Sequence, residues 1–361
     1  MAALPEVPER RLVIAIDYGT TYTGVAIATP AGNQADLSRI DPILFWGPQM
    51  GNHDKIPSVI SYSPASSEEE QQWGTSLSPE AVAMVHTKLE LDVHDTSEEL
   101  ESIVQALDGM SNLHFQKVKA AKGLPEYTWK GPEEIVEDYL TKVFDYLIEA
   151  VDDFTEELRA EIPVDIVVTI PVGWSYRAKN STFRALTRAG FNKATFPKLA
   201  EMLLIPEPEA AAIYTARYLK ELDGVNFLKK GECFVLCDAG GGTVDVLSYK
   251  VKELEPAFEI EAVTLATGRK CGSIFIDIAF KMWLKALLGD KYYQMLDPIQ
   301  QAYKISSHHT EGRSMRELMY SFSVFKKKFK KDSRVMKMDL PKPLDNLTLD
   351  DRVIGGQITI T

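Results

Sequence analysis

The sequence lacks the long apolar runs and the cysteine content that mark membrane and secreted proteins. No run approaches the roughly 20 apolar residues that a membrane-spanning helix needs, and residues 1–11 lack the basic-then-apolar order of a secretory signal. Only three of the 361 residues are cysteine. Cys233 and Cys237 lie four positions apart in a predicted strand, about 13 Å along it and too far for a disulfide. We expect reduced thiols that act as small buried hydrophobes, in a cytoplasmic protein without membrane contact.

Histidine is also scarce, and positive charge is outnumbered. The six histidines show no paired ligand spacing. His308 and His309 would point in different directions in any regular element, so we predict no transition-metal site. Forty basic residues against 52 acidic ones give a net charge of -12, which disfavours non-specific binding to nucleic acid or anionic lipid. An anionic ligand would therefore need a local site of its own.

Apolar residues make up 45% of the chain, enough for two domains with substantial cores. The continuous apolar run 164–170 predicts a strand buried on both faces, and apolar residues at spacing four predict an amphipathic helix at 132–150. Further helices are predicted at 79–91, 175–189, 208–214, 276–288 and 315–330. Further strands are predicted at 12–16, 24–28, 42–46, 56–62 and 258–265. No structure is predicted for the polar stretch 92–130.

One pattern occurs twice: an apolar run, an Asp, a Gly-rich turn bearing Thr, and a second apolar run. The copies span 15–28 and 235–247, and each predicts a β-hairpin with its functional groups at the tip. Two such tips facing each other would clamp a phosphate, because Gly lets the backbone N–H groups come close to it. The residues expected to bind the phosphate-bearing cofactor are Asp17, Gly19, Thr20, Thr21 and Tyr22 at the first tip and Gly240, Gly241, Gly242 and Thr243 at the second.

The two halves that contain these hairpins repeat the same order of strands and helices, which predicts two related folds with a cleft between them. Asp17 and Asp238 each end a strand, so we expect both carboxylates at the floor of that cleft. Hard oxygen ligands of this kind hold Mg²⁺, commonly through its waters. One copy alone would be an ordinary turn, whereas two matched copies favour phosphate binding.

Three linked motifs carry a family resemblance. They are Asp17-Tyr18-Gly19-Thr20-Thr21-Tyr22, Glu207-Pro208-Glu209-Ala210-Ala211-Ala212 and Asp238-Ala239-Gly240-Gly241-Gly242-Thr243-Val244-Asp245. Together they resemble the ATPase domain of the 70-kDa heat-shock (Hsp70) chaperone family. Ile56-Pro57-Ser58 resembles that family's early Pro-Ser strand, and Ile170-Pro171-Val172-Gly173-Trp174 resembles its hinge segment. The resemblance covers about residues 12–330, and Cys271-Gly272-Ser273-Ile274-Phe275-Ile276-Asp277 is closer to the divergent 12A/12B branch.

The resemblance implies an α/β fold of the actin-like ATPase superfamily, ribonuclease H-like, with two lobes around a nucleotide cleft. It implies an irregular leader at 1–11, lobe I at 12–225 with an inserted subdomain at about 42–130, and lobe II at 226–361 with an inserted subdomain from about 269. The family continues with a Gly-Gly adenine-binding segment, closing helices and a peptide-binding domain. Gly355-Gly356 is not followed by the expected Arg-Pro, so we expect an incomplete second lobe with an exposed sheet edge or apolar patch. Either the chain is truncated, or a partner completes the lobe.

The resemblance also implies ATP or ADP and Mg²⁺ as cofactors. Asp17, Glu207 and Asp238 would hold the metal, mainly through water, and Asp238 would lie near the attacking water. Glu207 would couple the metal to the hinge between the lobes. Its position between two prolines independently predicts a fixed carboxylate.

The phosphate contacts are implied in the same way. Thr20 and Thr21 would hold the β- and γ-phosphates, Thr243 would bond the γ-phosphate, and Asp245 would polarise water with it. The family also needs a lysine that reaches the γ-phosphate, where it stabilises charge on the phosphoryl group. Lys88 is the best positional candidate, and the alternative is an ordinary solvent-exposed lysine on the predicted helix.

The basic run 326–331 has three interpretations. It could be a nucleic-acid or nuclear-import patch, or the solvated face of an amphipathic helix, since aromatic residues from Phe322 to Phe329 fall at helical spacing. In the Hsp70 family the corresponding helix contacts adenosine through a Glu-x-x-Lys-Arg pattern. Lys326 and Lys327 would then bind the nucleotide, although Ser323 stands where the family has the Glu.

Three functions remain open from the sequence. The leading one is a chaperone-type ATPase that binds Mg-ATP and hydrolyses it slowly to switch the lobe angle. Its partners would be nucleotide and protein clients or co-chaperones, without nucleic acid or membrane. The second is a non-hydrolysing regulatory or scaffold protein. The third is a small-molecule kinase of the same superfamily, which would need a further cleft carboxylate that we do not find.

Overall fold

The computed structural model describes residues 11–30, 39–92, 130–150, 156–223, 228–254, 258–264, 267–269, 271–298, 310–330 and 335–360. Contacts group the chain into two units. Unit 1 contains Met1–Ser58, Lys88–Asp92 and Pro132–Gly272, and unit 2 contains Val59–Thr87, Val93–Gly131 and Ser273–Thr361. Unit 2 therefore draws on both predicted inserted subdomains. The predicted lobe boundaries and the truncation stay predictions.

Six strands precede the first α-helix, and strands and helices are interleaved in the rest of the described chain. The strands are β1 Leu12–Tyr18, β2 Tyr22–Ala28, β3 Ile40–Pro42, β4 Ile56–Pro57, β5 Ile60–Ser61, β6 Ala83–Met84, β7 Val164–Ile170, β8 Leu199–Pro206, β9 Cys233–Ala239, β10 Val244–Glu253, β11 Glu259–Ala262, β12 Thr267–Arg269, β13 Thr310–Glu311, β14 Met336–Asp339, β15 Val353–Ile354 and β16 Gln357–Ile360. The helices are α1 Pro132–Ala150, α2 Glu156–Glu161, α3 Tyr176–Ala189, α4 Glu207–Asp223, α5 Ser273–Leu296 and α6 Arg313–Lys327, with a 3-10 helix at Thr87–Leu91.

A six-stranded sheet in unit 1 carries the first predicted hairpin. Its order is β3-β2-β1-β7-β8, and β4 also pairs with β2. β1 is antiparallel to β2 and parallel to β7, which is in turn parallel to β8. Alternate residues of β1, from Leu12 to Tyr18, form a fully buried face, and Asp17 lies on the opposite face. The prediction of β7 is confirmed, but only one of its faces is fully buried.

Helix α1 covers the buried side of this sheet. The predicted bounds 132–150 are confirmed. The four residues that the spacing places on one face are each at most 1% exposed, namely Ile135, Tyr139, Val143 and Leu147. The Tyr139 ring lies 5.7 Å from that of Tyr18 on β1. The apolar stripe of the helix therefore supplies the core under the first hairpin.

Helix α3 begins and ends as its sequence predicts. The Ser175 hydroxyl accepts the Ala178 N–H at 3.2 Å, which satisfies one of the free N–H groups of the first turn. Gly190 ends the helix in the left-handed region with a φ of 118°. A side chain at Gly190 would also collide with the Phe144 ring of α1. The glycine therefore both ends α3 and admits its packing against α1.

The second predicted hairpin, β9 and β10, forms the other sheet of unit 1. β10 pairs with β9 along one edge and with β11 and β12 along the other. Among the described residues β9 is therefore an edge strand, and its outward face, with Cys233, Val235 and Cys237, is exposed. Cys271 is exposed as well, so the prediction of buried thiols is wrong. Alternation along a strand does not specify what covers its faces.

The described strands of unit 2 come from two distant segments of the chain, Val59–Thr87 and Ser273–Thr361. β6 pairs with β5 of the same segment and with β13 of the other. The guanidinium of Arg316 on α6 donates to the carbonyls of Ser78, Pro79 and Ala81. The strands β14, β15 and β16 form a further sheet, and helices α5 and α6 share a core with it.

Three predictions in the first half are wrong. The segment 79–91 is not an α-helix, because β6 pairs with strands on both sides and His86 takes a positive φ of 60° before the 3-10 helix. The segment 42–46 is not a strand, since β3 ends at Pro42 and Phe45 makes only an isolated bridge with Asn52. The segment 56–62 is not one strand but two, β4 and β5, in different sheets.

The described chain is a mixed α/β protein with several sheets and six helices, compatible with an Hsp70-like actin fold. The arrangement of two lobes around a cleft stays a prediction. Within the described ranges, no helix combines the length and the apolar character needed to cross a membrane.

Candidate functional site

The two predicted hairpins close with the same hydrogen bond. In the first, the Gly19 N–H donates to the Tyr22 carbonyl at 3.0 Å, and in the second the Gly240 N–H donates to the Thr243 carbonyl at 3.0 Å. The strand pairings also correspond, with Asp17 opposite Gly24 and Asp238 opposite Asp245. The repeated sequence pattern thus produces a repeated backbone structure, with an Asp at the base of each tip.

The two tips lie against each other within unit 1. A Cβ atom added to Gly241 would lie 2.7 Å from the Thr21 hydroxyl oxygen. One added to Gly242 would lie 2.5 Å from the Thr20 hydroxyl oxygen and 2.7 Å from Leu89. These distances are shorter than any van der Waals contact, so the approach of the tips requires glycine at both positions.

The first tip is further held by Ser58, which follows β4. The Ser58 hydroxyl donates to the Gly19 carbonyl at 2.8 Å and lies 2.8 Å from the Thr23 hydroxyl. The Ser58 N–H donates to the Thr21 carbonyl at 2.9 Å. The Ile-Pro-Ser segment therefore fixes the turn from the far side of β2, and sequence reasoning had not given Ser58 this role.

Lys88 and Glu207 form a buried ion pair beside the tips. Lys88 Nζ lies 2.5 Å from Glu207 Oε1, and the lysine side chain is only 3% exposed. Nζ also lies over the rings of Tyr18 and Trp174, at 5.9 and 5.4 Å from their centroids. Lys88 is thus not a solvent-exposed lysine. The sequence did not predict the contact between Trp174 and Lys88, although Trp174 lies in the segment that resembles the hinge.

Glu207 is the first residue of α4, where the N–H groups of the first turn and the helix dipole favour a carboxylate. This placement agrees with the prediction of a fixed side chain. It also explains how a nearly buried lysine is accommodated, since the opposite charge is held at a rigid helix end.

Asp17 is engaged by two side chains that sequence reasoning missed. Its Oδ1 accepts the Thr169 hydroxyl of β7 at 2.7 Å, and its Oδ2 lies 2.5 Å from Lys55 Nζ. Burial acts to raise the pKa of Asp17, but Lys55, Thr169 and the more distant Lys88 together hold it below its ordinary value. The only signal for Lys55 in the sequence is its place directly before Ile56-Pro57-Ser58.

The pKa values of the two carboxylates in the second hairpin are shifted in the opposite direction, upward. Burial raises the pKa of Asp238, and the negative charges of Asp245 and Asp17 raise it further. Burial also raises the pKa of Asp245, although the Thr243 hydroxyl donates to it at 3.0 Å. Asp245 is 2% exposed. The two residues are therefore better proton acceptors than a solvated aspartate.

The carboxylates of the two hairpins repel one another. In the part of the chain that the structure describes, no three His, Cys, Asp or Glu side chains converge closely enough to ligate a metal ion. The mutual repulsion of Asp17, Asp238 and Asp245 would nevertheless be relieved by a nearby cation. Oxygen donors around a water-clad ion are the usual environment of Mg²⁺.

Lys326 and Lys327 lie in unit 2, at the end of α6. Lys326 Nζ donates to both oxygens of Asp277, at 2.7 and 2.8 Å, and to the Ser273 carbonyl at 3.2 Å. Lys327 is exposed. Phe322 is buried and stacks on Phe280 at 3.9 Å, so α6 is an amphipathic helix. Part of the basic run, from 331 onward, falls outside the described residues.

Comparison with known proteins finds heat shock and chaperone proteins that are similar to this chain. The chain is 22% identical over 346 residues to human heat shock 70 kDa protein 12B, covering 80% of this chain and 46% of that protein. It is 25% identical over 175 residues to human heat shock 70 kDa protein 12A, covering 36% of this chain and 25% of that protein. It is 26% identical over 248 residues to a chaperone protein HscA homolog of Rickettsia felis, covering 68% of this chain and 31% of that protein.

No protein-family model matches the chain. The chain spans less than half the length of each of these relatives. The relatives are heat shock 70 kDa proteins and a chaperone protein HscA homolog, the kind of protein that the motifs resemble. The chain is therefore related to the Hsp70 family of actin-like ATPases, with the 12A and 12B proteins among its relatives.

Proposed function

We propose that this protein binds Mg-ATP at the two hairpin tips and hydrolyses it slowly. The observation that carries the proposal is the contact of two matched hairpin tips, each with an aspartate at its base, beside the buried pair of Lys88 and Glu207. Backbone N–H groups, hydroxyls and a buried cation are the groups that hold polyphosphates. The relation to Hsp70 proteins supports the same function.

The phosphates would be bound by groups from both tips. Thr20 and Thr21 offer hydroxyls from the first tip, and Thr243 offers one from the second, where it now donates to Asp245. Gly241 and Gly242 offer backbone N–H groups at the same place. Lys88 can keep one N–H on Glu207 and turn the remaining two toward a γ-phosphoryl oxygen.

Asp17, Asp238 and Glu207 would hold Mg²⁺ through its waters. The ion would neutralise charge on the β- and γ-phosphates. Asp17 is suited to this role because it stays ionised, since Lys55 and Thr169 lower its pKa against the effect of burial.

Hydrolysis needs a group that accepts a proton from the attacking water. Asp245 and Asp238 fit, because burial and neighbouring negative charge raise the pKa of each while leaving it an acceptor at neutral pH. Lys88 would stabilise the charge that develops on the transferred phosphoryl group. Catalysis of this kind is mostly positioning and electrostatics, so a low rate is expected.

We further propose that the nucleotide state sets the angle between two lobes. Protein clients or co-chaperones in the cytoplasm would then bind with an affinity that depends on this angle. The sequence, with its acidic balance, argues against nucleic acid and membranes as partners.

The second candidate is a non-hydrolysing protein with a regulatory or scaffold role. One observation favours it. All three N–H donors of Lys326 are taken by Asp277 and the Ser273 carbonyl, and Ser323 replaces the glutamate of the family pattern. A contact of Lys326 with adenosine would have to break these bonds.

Calorimetric ATP binding and single-turnover hydrolysis test the proposal. They would be measured for the wild type, Thr243→Ala and Lys88→Ala, with Lys193→Met as a control on an exposed lysine. We expect binding that Mg²⁺ strengthens, and a turnover rate that falls by about 10²–10³ in Lys88→Ala. Equal binding in all variants, unaffected by metal, would refute ATP binding at the tips. Binding without measurable turnover in the wild type would support the scaffold function.

A further inference from the structure

Lys55 places a second ammonium group at the base of the first hairpin. Its Nζ lies 2.5 Å from Asp17 Oδ2. It also acts on the second hairpin, since its charge lowers the pKa of Asp238 against the effects of burial, Asp245 and Asp17. Lys55 is not among the residues that the sequence motifs single out. Its ammonium group nevertheless bonds Asp17 of β1 and acts electrostatically on Asp238 of β9.

The main chain of Lys55 is held by the strand that follows it. Ile56 pairs with Thr23, and Pro57 pairs with Tyr22, at the start of β2. The aliphatic stem of Lys55 passes over Gly24, where an added Cβ would lie 3.2 Å from Cγ and 3.4 Å from Cε of the lysine. Gly24 is the strand partner of Asp17. The absence of a side chain at Gly24 therefore makes room for Lys55 over Asp17.

The two hairpins differ at this position. The strand partner of Asp238 is Asp245, a carboxylate, whereas the strand partner of Asp17 is a glycine covered by a lysine. Asp17, Asp238, Asp245 and Glu207 together bring four negative charges. Lys55 and Lys88 are the lysines whose charges act on Asp17 and Asp238.

The lysine is free to turn. Its side chain is 51% exposed and that of Asp17 is 37% exposed, and ion pairs with this much solvent access contribute little to stability. Two N–H donors of an ammonium group remain after one bonds Asp17. Turning one of them toward a phosphate oxygen would therefore cost little.

We propose that Lys55 is a second phosphate-binding lysine, which supplies part of the positive charge that Mg²⁺ otherwise brings, so that nucleotide binding persists without the metal. The inference rests on the proposed function, since it concerns the same phosphate site. Lys88 acts from the buried side of the site through Glu207, and Lys55 acts from the solvent side through Asp17.

The test is the dissociation constant of ATP, measured by calorimetry with saturating Mg²⁺ and again with EDTA, for the wild type and Lys55→Met. In EDTA we expect Lys55→Met to bind about tenfold more weakly than the wild type or worse, the loss of one charged hydrogen bond. In Mg²⁺ we expect a loss of about threefold or less, since the ion then neutralises the phosphates. Lys55→Arg should retain most of the metal-free binding.

Gly24→Ala is a matched variant that keeps the charge, because its methyl group would displace the exposed lysine stem by only a few tenths of an ångström. It should bind ATP in EDTA within about threefold of the wild type, and circular dichroism should show that both variants are folded. Equal weakening in both conditions, no weakening, or tighter binding by Lys55→Met would overturn the inference while leaving the proposed function standing. Absence of ATP binding by the wild type in Mg²⁺ would overturn both.

Discussion

Lys88 Nζ lies 2.5 Å from Glu207 Oε1, between the rings of Tyr18 and Trp174. A lysine so nearly buried is stable only with an opposite charge beside it. The pair joins the 3-10 helix Thr87–Leu91, which contains Lys88, to the N-terminus of α4, where Glu207 is the first residue. It places the cation next to the tip of the second hairpin, where Leu89 meets Gly242.

We expect Lys88→Met to reduce ATP turnover by about 10²–10³, the usual effect of removing one donor that stabilises a transition state. Glu207→Gln should also reduce turnover, because it removes the opposite charge that stabilises the nearly buried lysine. Rapid-quench measurement of phosphate release under single-turnover conditions gives both rates. Lys193→Met, on an exposed lysine of unit 1, should match the wild type, and a Lys88→Met rate within a factor of about three of it would contradict this role.

We expect Gly242→Ala to weaken ATP binding by about tenfold or more, because the new methyl group would overlap Thr20 and Leu89 and force the tips apart. Gly173→Ala is a matched control, since a Cβ there meets nothing within 4 Å. Fluorescence titration with a labelled ATP analogue gives both affinities. Equal affinities for the two variants would show that the contact of the tips does not matter for binding.

Asp238→Asn should make the nucleotide-free protein more stable at neutral pH. Burial and the charges of Asp245 and Asp17 raise the pKa of Asp238. The ionised carboxylate is therefore disfavoured in the folded state, and the free energy of unfolding falls as the pH rises through the folded-state pKa of Asp238. Solvent screening keeps the gain below about 1 kcal/mol, or a Tm increase of about 1–3 °C.

Thermal melts at several pH values measure this effect. The gain from Asp238→Asn should shrink as the pH is lowered and vanish below the ordinary pKa of an aspartate, where the wild-type carboxyl is protonated in both the folded and the unfolded state. Asp41→Asn, on β3 and outside the site, serves as the control. A lower Tm for Asp238→Asn at pH 7, or a gain that grows as the pH falls, would contradict this interpretation of the carboxylates.

Two arginines of α6 should differ in their effect on unit 2. Arg316 donates to three backbone carbonyls, whereas Arg313 makes exposed ion pairs with Glu80 and Glu317. Loss of Arg316 leaves acceptors without their partner, so we expect Arg316→Met to destabilise the protein by about 2–4 kcal/mol. Arg313→Met should cost less than about 1 kcal/mol. Urea unfolding followed by tryptophan fluorescence compares them, and equal midpoints would contradict the prediction.

Much of the fold could be predicted from local sequence. The two hairpins follow from alternating apolar residues around Gly-rich turns, and α1 and α3 follow from their apolar spacing and, at α3, from Ser175 and Gly190. Each of these signals is complete within about 20 residues. The prediction of a helix at 79–91 was wrong because β6 pairs with the distant strands β5 and β13, and this pairing outweighs local helix propensity.

The candidate site was predicted where the motifs are contiguous and missed where tertiary packing supplies the residue. Thr169 reaches Asp17 from a neighbouring strand, and Lys55 reaches it from the residue before β4. Trp174 meets Lys88 from the loop before α3. None of these distances can be read from spacing along the chain. The exposure of Cys233 and Cys237 on β9 was also missed. The sequence of a strand does not specify which other elements pack against its faces.

The central claim is that the two hairpin tips together bind the phosphates of a nucleotide. The most direct test is calorimetric titration of Mg-ATP and of AMP into the wild type and into Thr20→Ala/Thr243→Ala, which removes one hydroxyl from each tip. We predict that the wild type binds ATP at least about tenfold more tightly than AMP, and that the double variant loses most of this difference. Equal affinity of the wild type for ATP and AMP, or a preference for ATP that survives in the double variant, would contradict the account.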